Sequence, residues 1–101
     1  MAILLIMKLN EKKGKNMKEF RYVIKDPVGI HARPAGLLAK AAKEFSSKII
    51  IEANGKSADV TRLMSVMGLG AKTGTEILVR IEGEDEEAAF TNMQKFMEHN
   101  L

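Results

Sequence analysis

The chain has 101 residues, which is enough for one small domain with a modest core and too few for two such domains. Its formal net charge is +3, basic residues are interspersed with acidic ones, and one Tyr with no Trp leaves no aromatic platform for bases, so the composition does not favour a nucleic-acid-binding protein. The absence of Cys excludes disulfides and thiolate metal sites, and it fits a cytoplasmic location.

The first 16 residues differ in character from the rest of the chain. An apolar run over residues 1–7 is followed by a polar, charged run over residues 8–16. The apolar run is far shorter than the roughly 20 residues of a membrane span and has no basic residues before it, so neither a membrane segment nor a signal peptide is indicated. We expect residues 1–16 to be an extension that is disordered or foreign to the native protein, and residues 17–101 to form the domain.

A strand and then a helix are predicted at the start of this domain. Aromatic and β-branched residues alternate with polar ones over residues 19–25, and the turn sequence Asp-Pro-Val-Gly follows. Residues 30–45 then carry an apolar stripe at helical spacing, formed by Ala35, Leu38, Ala39, Ala42 and Phe45. Pro34 fits only the first turn of this helix, which places His31 at the helix entry.

A hairpin signal and two further helices follow. Residues 48–52 are predicted to form a strand, and Asn54-Gly55 returns the chain into a third strand over residues 56–60. We expect a short helix over 61–69 with Val66 and Leu69 in the core. The remaining expected elements are a strand over 76–81 and a helix from about 83 to 99 that buries Ala88, Ala89, Met93 and Phe96.

The order of these elements is β-α-β-β-α-β-α. An order of this kind indicates an α+β fold, an open-faced β-sandwich in which a four-stranded antiparallel sheet is covered on one face by three helices.

The segment from Gly29 to Ala35 combines residue types that suit phosphoryl chemistry. Backbone N–H groups in the first turn of a helix lack intrahelical acceptors and attract anions, so the backbone of Ala32 and Arg33 could cradle a phosphate. The imidazole of His31 can act as a nucleophile toward phosphorus, and the guanidinium of Arg33 can hold phosphate oxygens in a bidentate manner. A lone His beside Pro and Arg at a helix start is more often an ordinary surface residue, so this segment alone does not decide the function.

The sequence Gly29-Ile-His-Ala-Arg-Pro-Ala35 resembles the active-site segment of the HPr phosphocarrier family of the bacterial sugar phosphotransferase system. The resemblance continues in Asn54-Gly55-Lys56 and over residues 63–70 and 83–89, and it covers residues 17–101. It implies that His31 is phosphorylated at Nδ1 and that Arg33 stabilises the phosphate.

The same resemblance implies the partners of the chain. Enzyme I would transfer the phosphoryl group from phosphoenolpyruvate to His31, and the IIA domains of sugar permeases would receive it. The implied protein is a cytoplasmic phosphocarrier, itself a substrate of phosphotransfer and not an enzyme. We expect a monomer that holds no metal or other cofactor, binds no nucleic acid and does not insert into a membrane. The alternative is a regulatory paralogue that signals its phosphorylation state to another protein.

The second helix is where the family docks its partners. A cluster of apolar residues on a helix is usually core, but so short a helix cannot bury all of them, and Met adapts to several partners. We therefore expect Leu63, Met64 and Met67 to contribute to a docking surface.

A departure from the family pattern occurs at the start of this helix. Arg62 stands where many Gram-positive relatives have a regulatory serine, so no regulatory serine is expected there, and Thr61 and Ser65 remain open as substitutes. We expect His99 to face solvent at a helix C-terminus.

Overall fold

The computed structural model describes residues 17–101. The elements in chain order are β1 (Met17–Val23), α1 (Ala32–Ala42), β2 (Lys48–Ala53), β3 (Lys56–Asp59), α2 (Leu63–Met67), β4 (Glu76–Glu82) and α3 (Glu86–Asn100). The predicted order of elements is confirmed. The expectation for residues 1–16 falls outside the described residues. Within residues 17–101, none of the helices is long and apolar enough to cross a bilayer.

The four strands form one antiparallel sheet in the order β1-β4-β2-β3. Alternate residues of a strand point to the same face, and one face carries the fully buried side chains of Ile49, Ile51, Ile77, Val79 and Ile81. The other face carries ion pairs between strands, with Arg80 contacting Glu52 at 2.8 Å and Glu19 at 3.3 Å. The three helices therefore cover one face of the sheet, and the predicted open-faced sandwich is confirmed.

Helix α1 buries the predicted stripe. Pro34, Ala35, Leu38, Ala39 and Ala42 are buried, whereas Phe45 lies beyond the end of α1 and is half-buried.

The buried face of α3 is partly different from the prediction. Ala89 and Met93 are fully buried as expected, but the predicted burial of Ala88 is wrong, because its side chain is exposed. Met97 is fully buried and Phe96 is half-buried. Residues four apart lie on one face of a helix, so Ala89, Met93 and Met97 point to the core, while Ala88 is rotated about 100° from Ala89 and still further from the other two.

The predicted hairpin is present between β2 and β3. Asn54 has φ +53° and Gly55 has φ +75°, the two left-handed residues that a tight hairpin turn of this twist requires.

Strand β1 begins and ends two residues earlier than predicted, because long-range hydrogen bonds take over after Val23. The N–H of Ile24 donates to the carbonyl of Thr75 at 3.0 Å, and the N–H groups of Lys25 and Asp26 both donate to the backbone oxygen of Leu101. The chain thus leaves the sheet and is joined to the end of α3.

Candidate functional site

A tight turn places His31 at the start of α1. Gly29 has φ +81°, and a Cβ at this position would lie 2.5 Å from the carbonyl oxygen of Ala71 and 2.7 Å from Cα of Lys72. The next residue, Ile30, is buried and donates its N–H to the Ala71 carbonyl at 2.9 Å. The chain is thereby held against residues 71–72, and His31 follows as the N-cap of α1 in extended backbone conformation.

The first turn of α1 presents backbone donors that have no acceptor within the helix. The first helical hydrogen bond runs from the N–H of Ala35 to the carbonyl of His31 at 3.0 Å, and Pro34 has no N–H. The N–H groups of His31, Ala32 and Arg33 therefore precede the helical hydrogen-bond ladder. The His31 side chain does not cap the helix, and the first turn holds no acidic residue. These features favour an anion over the helix N-terminus.

A small cleft of about 170 Å³ opens at this helix start. It has room for a phosphoryl group and a few waters, since one water occupies about 30 Å³ in the liquid. The side chain of His31 is half-buried and that of Arg33 is exposed. The residues that line the cleft are Asp26, His31, Arg33, Pro34, Leu37, His99 and Asn100. The structure thus brings together the two predicted side chains, His31 and Arg33.

His99 is the cleft residue that sequence reasoning missed. It is exposed, as expected, but it lies beside His31 and Arg33 and not on a remote surface. The two histidines share this cleft because the N–H groups of Lys25 and Asp26 donate to the backbone oxygen of Leu101, which joins the end of α3 to the loop before His31. No local sequence pattern predicts that long-range interaction.

Helix α2 carries the predicted docking residues. Met64 is 75% exposed and Leu63 is 37% exposed, and Met67 is half-buried, whereas Val66 and Leu69 are buried as predicted. Helix α2 packs against α1, which starts next to His31. The apolar cluster is therefore partly accessible, and its docking role stays a prediction.

The β2–β3 hairpin holds the C-terminal end of α2. The Asn54 amide donates to the carbonyls of Leu69 at 2.9 Å and Gly70 at 3.2 Å, and the Lys56 ammonium donates to the carbonyl of Gly68 at 3.4 Å. These bonds satisfy carbonyls that a helix end leaves without intrahelical partners.

The start of α2 differs from the prediction because an aspartate turn precedes it. Asp59 accepts the backbone N–H of Thr61 at 2.9 Å and its hydroxyl at 2.7 Å, so the helix begins only at Leu63, after the exposed N-cap Arg62. Burial alone would raise the pKa of Asp59, but the hydrogen bonds from Thr61 and the positive charges of Arg62 and Lys48 hold it below its usual value. Phosphorylation of Thr61 would remove the hydrogen bond that its hydroxyl donates to Asp59 and would place a phosphate beside this carboxylate. Thr61 is therefore disfavoured as a modification site. Ser65 is exposed on α2.

Comparisons with known proteins show the family to which this chain is similar. The family profile described as "PTS HPr component phosphorylation site" matches residues 18–99. The phosphocarrier protein HPr of Mycoplasma capricolum is 44% identical over 81 residues, which cover 80% of this chain and 91% of that protein.

Two solved structures are also similar to this chain. The histidine-containing phosphocarrier protein of Mycoplasma has a TM-score of 0.77 at 44% identity, covering 79% of this chain and 91% of that one. The catabolite repression protein Crh of Bacillus subtilis, a domain-swapped dimer, has a TM-score of 0.66 at 30% identity, covering 79% and 92% respectively. The chain belongs to the HPr family of phosphocarrier proteins of the phosphotransferase system.

Proposed function

We propose that this chain receives a phosphoryl group on Nδ1 of His31 from enzyme I, originally from phosphoenolpyruvate, and passes it to the IIA domains of sugar permeases. The observation that supports this most directly is the cleft in which His31, Arg33 and the amides of the first turn of α1 come together. Membership of the HPr family makes the chain a phosphocarrier. We further propose that Nδ1 is the acceptor atom, that enzyme I and IIA domains are the partners, and that the chain is a substrate of phosphotransfer without catalytic turnover of its own.

The site suits a phosphoryl group that must arrive and leave easily. The imidazole nitrogen forms a bond to phosphorus as the bond to the donor breaks, and three equatorial oxygens carry the negative charge. The N–H groups of Ala32 and Arg33 and the Arg33 guanidinium can neutralise that charge without reorganising. Because His31 is only half-buried and Arg33 is exposed, both remain within reach of a partner protein.

The apolar residues of α2 provide the surface for partner binding. Leu63 and Met64 are exposed and Met67 is half-buried, and α2 packs against the helix that begins at His31. A partner that covers this cluster would place its own phosphorylated group near the cleft.

Incubation with enzyme I and labelled phosphoenolpyruvate tests the acceptor assignment. We expect acid-labile label on the wild type and on His99→Ala, in which His31 is retained. We expect none on His31→Ala. Retention of acid-labile phosphate by the His31→Ala variant would contradict the proposal.

Transfer of the label from the phosphorylated chain to a IIA domain distinguishes a transport carrier from a regulatory paralogue. Adding IIA domains to the labelled protein should move the label to a IIA domain. A chain that enzyme I loads but that passes phosphate to no IIA domain would instead support the regulatory function.

The contribution of Arg33 is tested by two substitutions. Arg33→Gln should slow phosphoryl transfer by about tenfold or more, because removing a donor at the transferring group costs roughly one to three orders of magnitude. Arg33→Lys keeps the charge but loses the bidentate geometry, so its rate should be intermediate. Rapid-quench measurement of the label on His31 gives both rates, and an unchanged rate for Arg33→Gln would exclude the assigned role.

A further inference from the structure

His99 lines the same cleft as His31 and Arg33, and its ring is already fixed on one side. Its Nδ1 lies 2.8 Å from the carbonyl oxygen of Lys95, one helical turn earlier. A carbonyl oxygen can only accept a hydrogen bond, so Nδ1 carries the hydrogen and donates. Nε2 is therefore the ring nitrogen that remains for a group outside the helix: it is an acceptor in the neutral ring and a donor only after protonation.

The end of α3 that carries His99 is well held. The N–H of Leu101 donates to the carbonyl of Met97 at 2.9 Å, and the Leu101 side chain is buried. The backbone oxygen of Leu101 accepts the N–H groups of Lys25 and Asp26, so the last residues are joined to the loop that leads to His31. His99 thus occupies a defined place beside the cleft and not a frayed terminus.

The charges around His99 are nearly balanced while His31 is unmodified. The charged or titratable groups that face the cleft from the preceding loop and from α1 are those of Asp26, His31 and Arg33. The Asp26 carboxylate, which also accepts the N–H of Val28 at 2.8 Å, and the Arg33 guanidinium carry opposite charges. The neighbouring charges on the loop and on α3 are Lys25, Lys95, Glu98 and the terminal carboxylate of Leu101. The pKa of Tyr22 is raised by burial and, to a smaller extent, by the Glu98 charge.

A phosphoryl group on His31 changes that balance by adding negative charge to a cleft of about 170 Å³. We propose that His99 is a positioning residue for the phosphorylated state: its Nε2 takes up a proton from solvent when His31 is phosphorylated and donates a hydrogen bond to a phosphoryl oxygen. No bond to phosphorus is made or broken at His99. This inference rests on the proposed function of His31.

Two variants separate this role from a structural one. His99→Asn has a short amide donor that can replace the Nδ1 contact to the Lys95 carbonyl but has no group equivalent to Nε2. His99→Lys supplies a cation at every pH near neutrality, whereas imidazole loses its proton in that range. Thermal unfolding of each variant shows whether the fold is retained.

The experiment is a competition for a limiting phosphoryl group. Wild type and one variant are mixed in equal amounts with enzyme I and limiting phosphoenolpyruvate, so that enzyme I equilibrates the phosphoryl group between them. Mass spectrometry under non-acidic conditions then counts each phosphorylated form. The pH dependence common to His31 in both chains cancels in the ratio.

The expected ratio depends on pH. At about pH 6, where imidazole is protonated, wild type should hold about three- to tenfold more phosphate than His99→Asn, as for a charge-assisted hydrogen bond, and at about pH 9 the two should be nearly equal. His99→Lys should keep the advantage over His99→Asn at both pH values. Equal shares for wild type and His99→Asn at about pH 6, or a deficit of the same size at both pH values, would overturn the inference.

These outcomes are distinct from failure of the proposed function. A wild-type chain that enzyme I does not phosphorylate would remove the proposed function, and the role of His99 with it. A wild-type chain that is phosphorylated on His31 but competes no better than His99→Asn would remove the role of His99 alone.

Discussion

At the scale of single residues, the position of His31 depends on how closely two backbone segments approach before α1. Gly29 combines a left-handed φ of +81° with a position where a Cβ would lie 2.5 Å from the Ala71 carbonyl oxygen. The backbone atoms at this contact cannot move aside like the end of a flexible side chain. The turn therefore needs glycine for two separate reasons, conformation and space.

Substitution Gly29→Ala should consequently destabilise the protein by at least about 3 kcal/mol, because left-handed strain of roughly 1–3 kcal/mol is added to a backbone clash. It should also slow phosphorylation of His31, since the helix entry must shift. Urea denaturation and the enzyme I assay measure the two effects.

Gly74→Ala is the matched control. Gly74 has a similar φ of +87°, but a Cβ there would have no atom of residues 17–101 within 4 Å. Only the conformational strain of about 1–3 kcal/mol is then expected, with normal phosphorylation. Equal losses for the two variants would show that close approach at Gly29 contributes nothing.

At the scale of elements, Asp85 connects the start of α3 with the start of β2. Its two carboxylate oxygens accept the backbone N–H groups of Ser46 at 2.8 Å and Ser47 at 2.9 Å, and the Ser47 hydroxyl donates to it as well. The hydrogen bond from the Ser47 side chain, together with those from the backbone, holds the pKa of Asp85 below its ordinary value of 3.8.

A lowered pKa in the folded state means that ionised Asp85 stabilises the fold. This stabilisation is fully present above the ordinary value of 3.8 and is lost as the pH falls through the lowered folded value. Asp85→Asn should therefore be less stable than wild type at about pH 7, and the difference should shrink toward about pH 2. Urea denaturation across this range measures it, and a difference that does not change with pH would refute the electrostatic explanation.

The exposed part of α2 gives a second prediction at this scale. Met64 is 75% exposed, so Met64→Ala should change the free energy of unfolding by less than about 0.5 kcal/mol, yet weaken binding to enzyme I by about fivefold or more. Met93→Ala, at a fully buried position of α3, should instead lose about 2–5 kcal/mol of stability. Calorimetric titration with enzyme I that shows unchanged affinity for Met64→Ala would exclude this residue from the docking surface.

The existence of these elements could be predicted because local patterns specify them. The spacing of Ala35, Leu38 and Ala42 defines α1, and Asn54-Gly55 defines the hairpin. Element ends were less predictable, since distant or side-chain hydrogen bonds set them. The backbone oxygen of Leu101 accepts the N–H groups just after β1, and Asp59 delays the start of α2.

The same distinction holds for the site. His31 and Arg33 belong to one short segment, so their proximity follows from the helix start that Pro34 indicates. His99 reaches the cleft only through the packing of the chain end against the loop before α1. Tertiary contacts of that kind produce no periodic pattern in the sequence.

At the scale of the whole molecule, the match to the HPr family covers residues 18–99, and residues 1–16 lie outside it. We propose that residues 1–16 are dispensable. A chain that begins at Met17 should have the same urea midpoint and the same phosphorylation rate as the full chain. A clear loss of either quantity would show that residues 1–16 contribute to the domain.

The proposed acceptor of the phosphoryl group is a single ring nitrogen, Nδ1 of His31. Nuclear magnetic resonance of the ¹⁵N-labelled chain, phosphorylated with enzyme I and phosphoenolpyruvate, identifies that atom through its coupling to phosphorus. We predict a single phosphorylated residue, His31, with phosphorus bonded to Nδ1. The assignment of Nδ1 of His31 would be contradicted by phosphorus on His99, on Nε2 of His31, or on neither histidine.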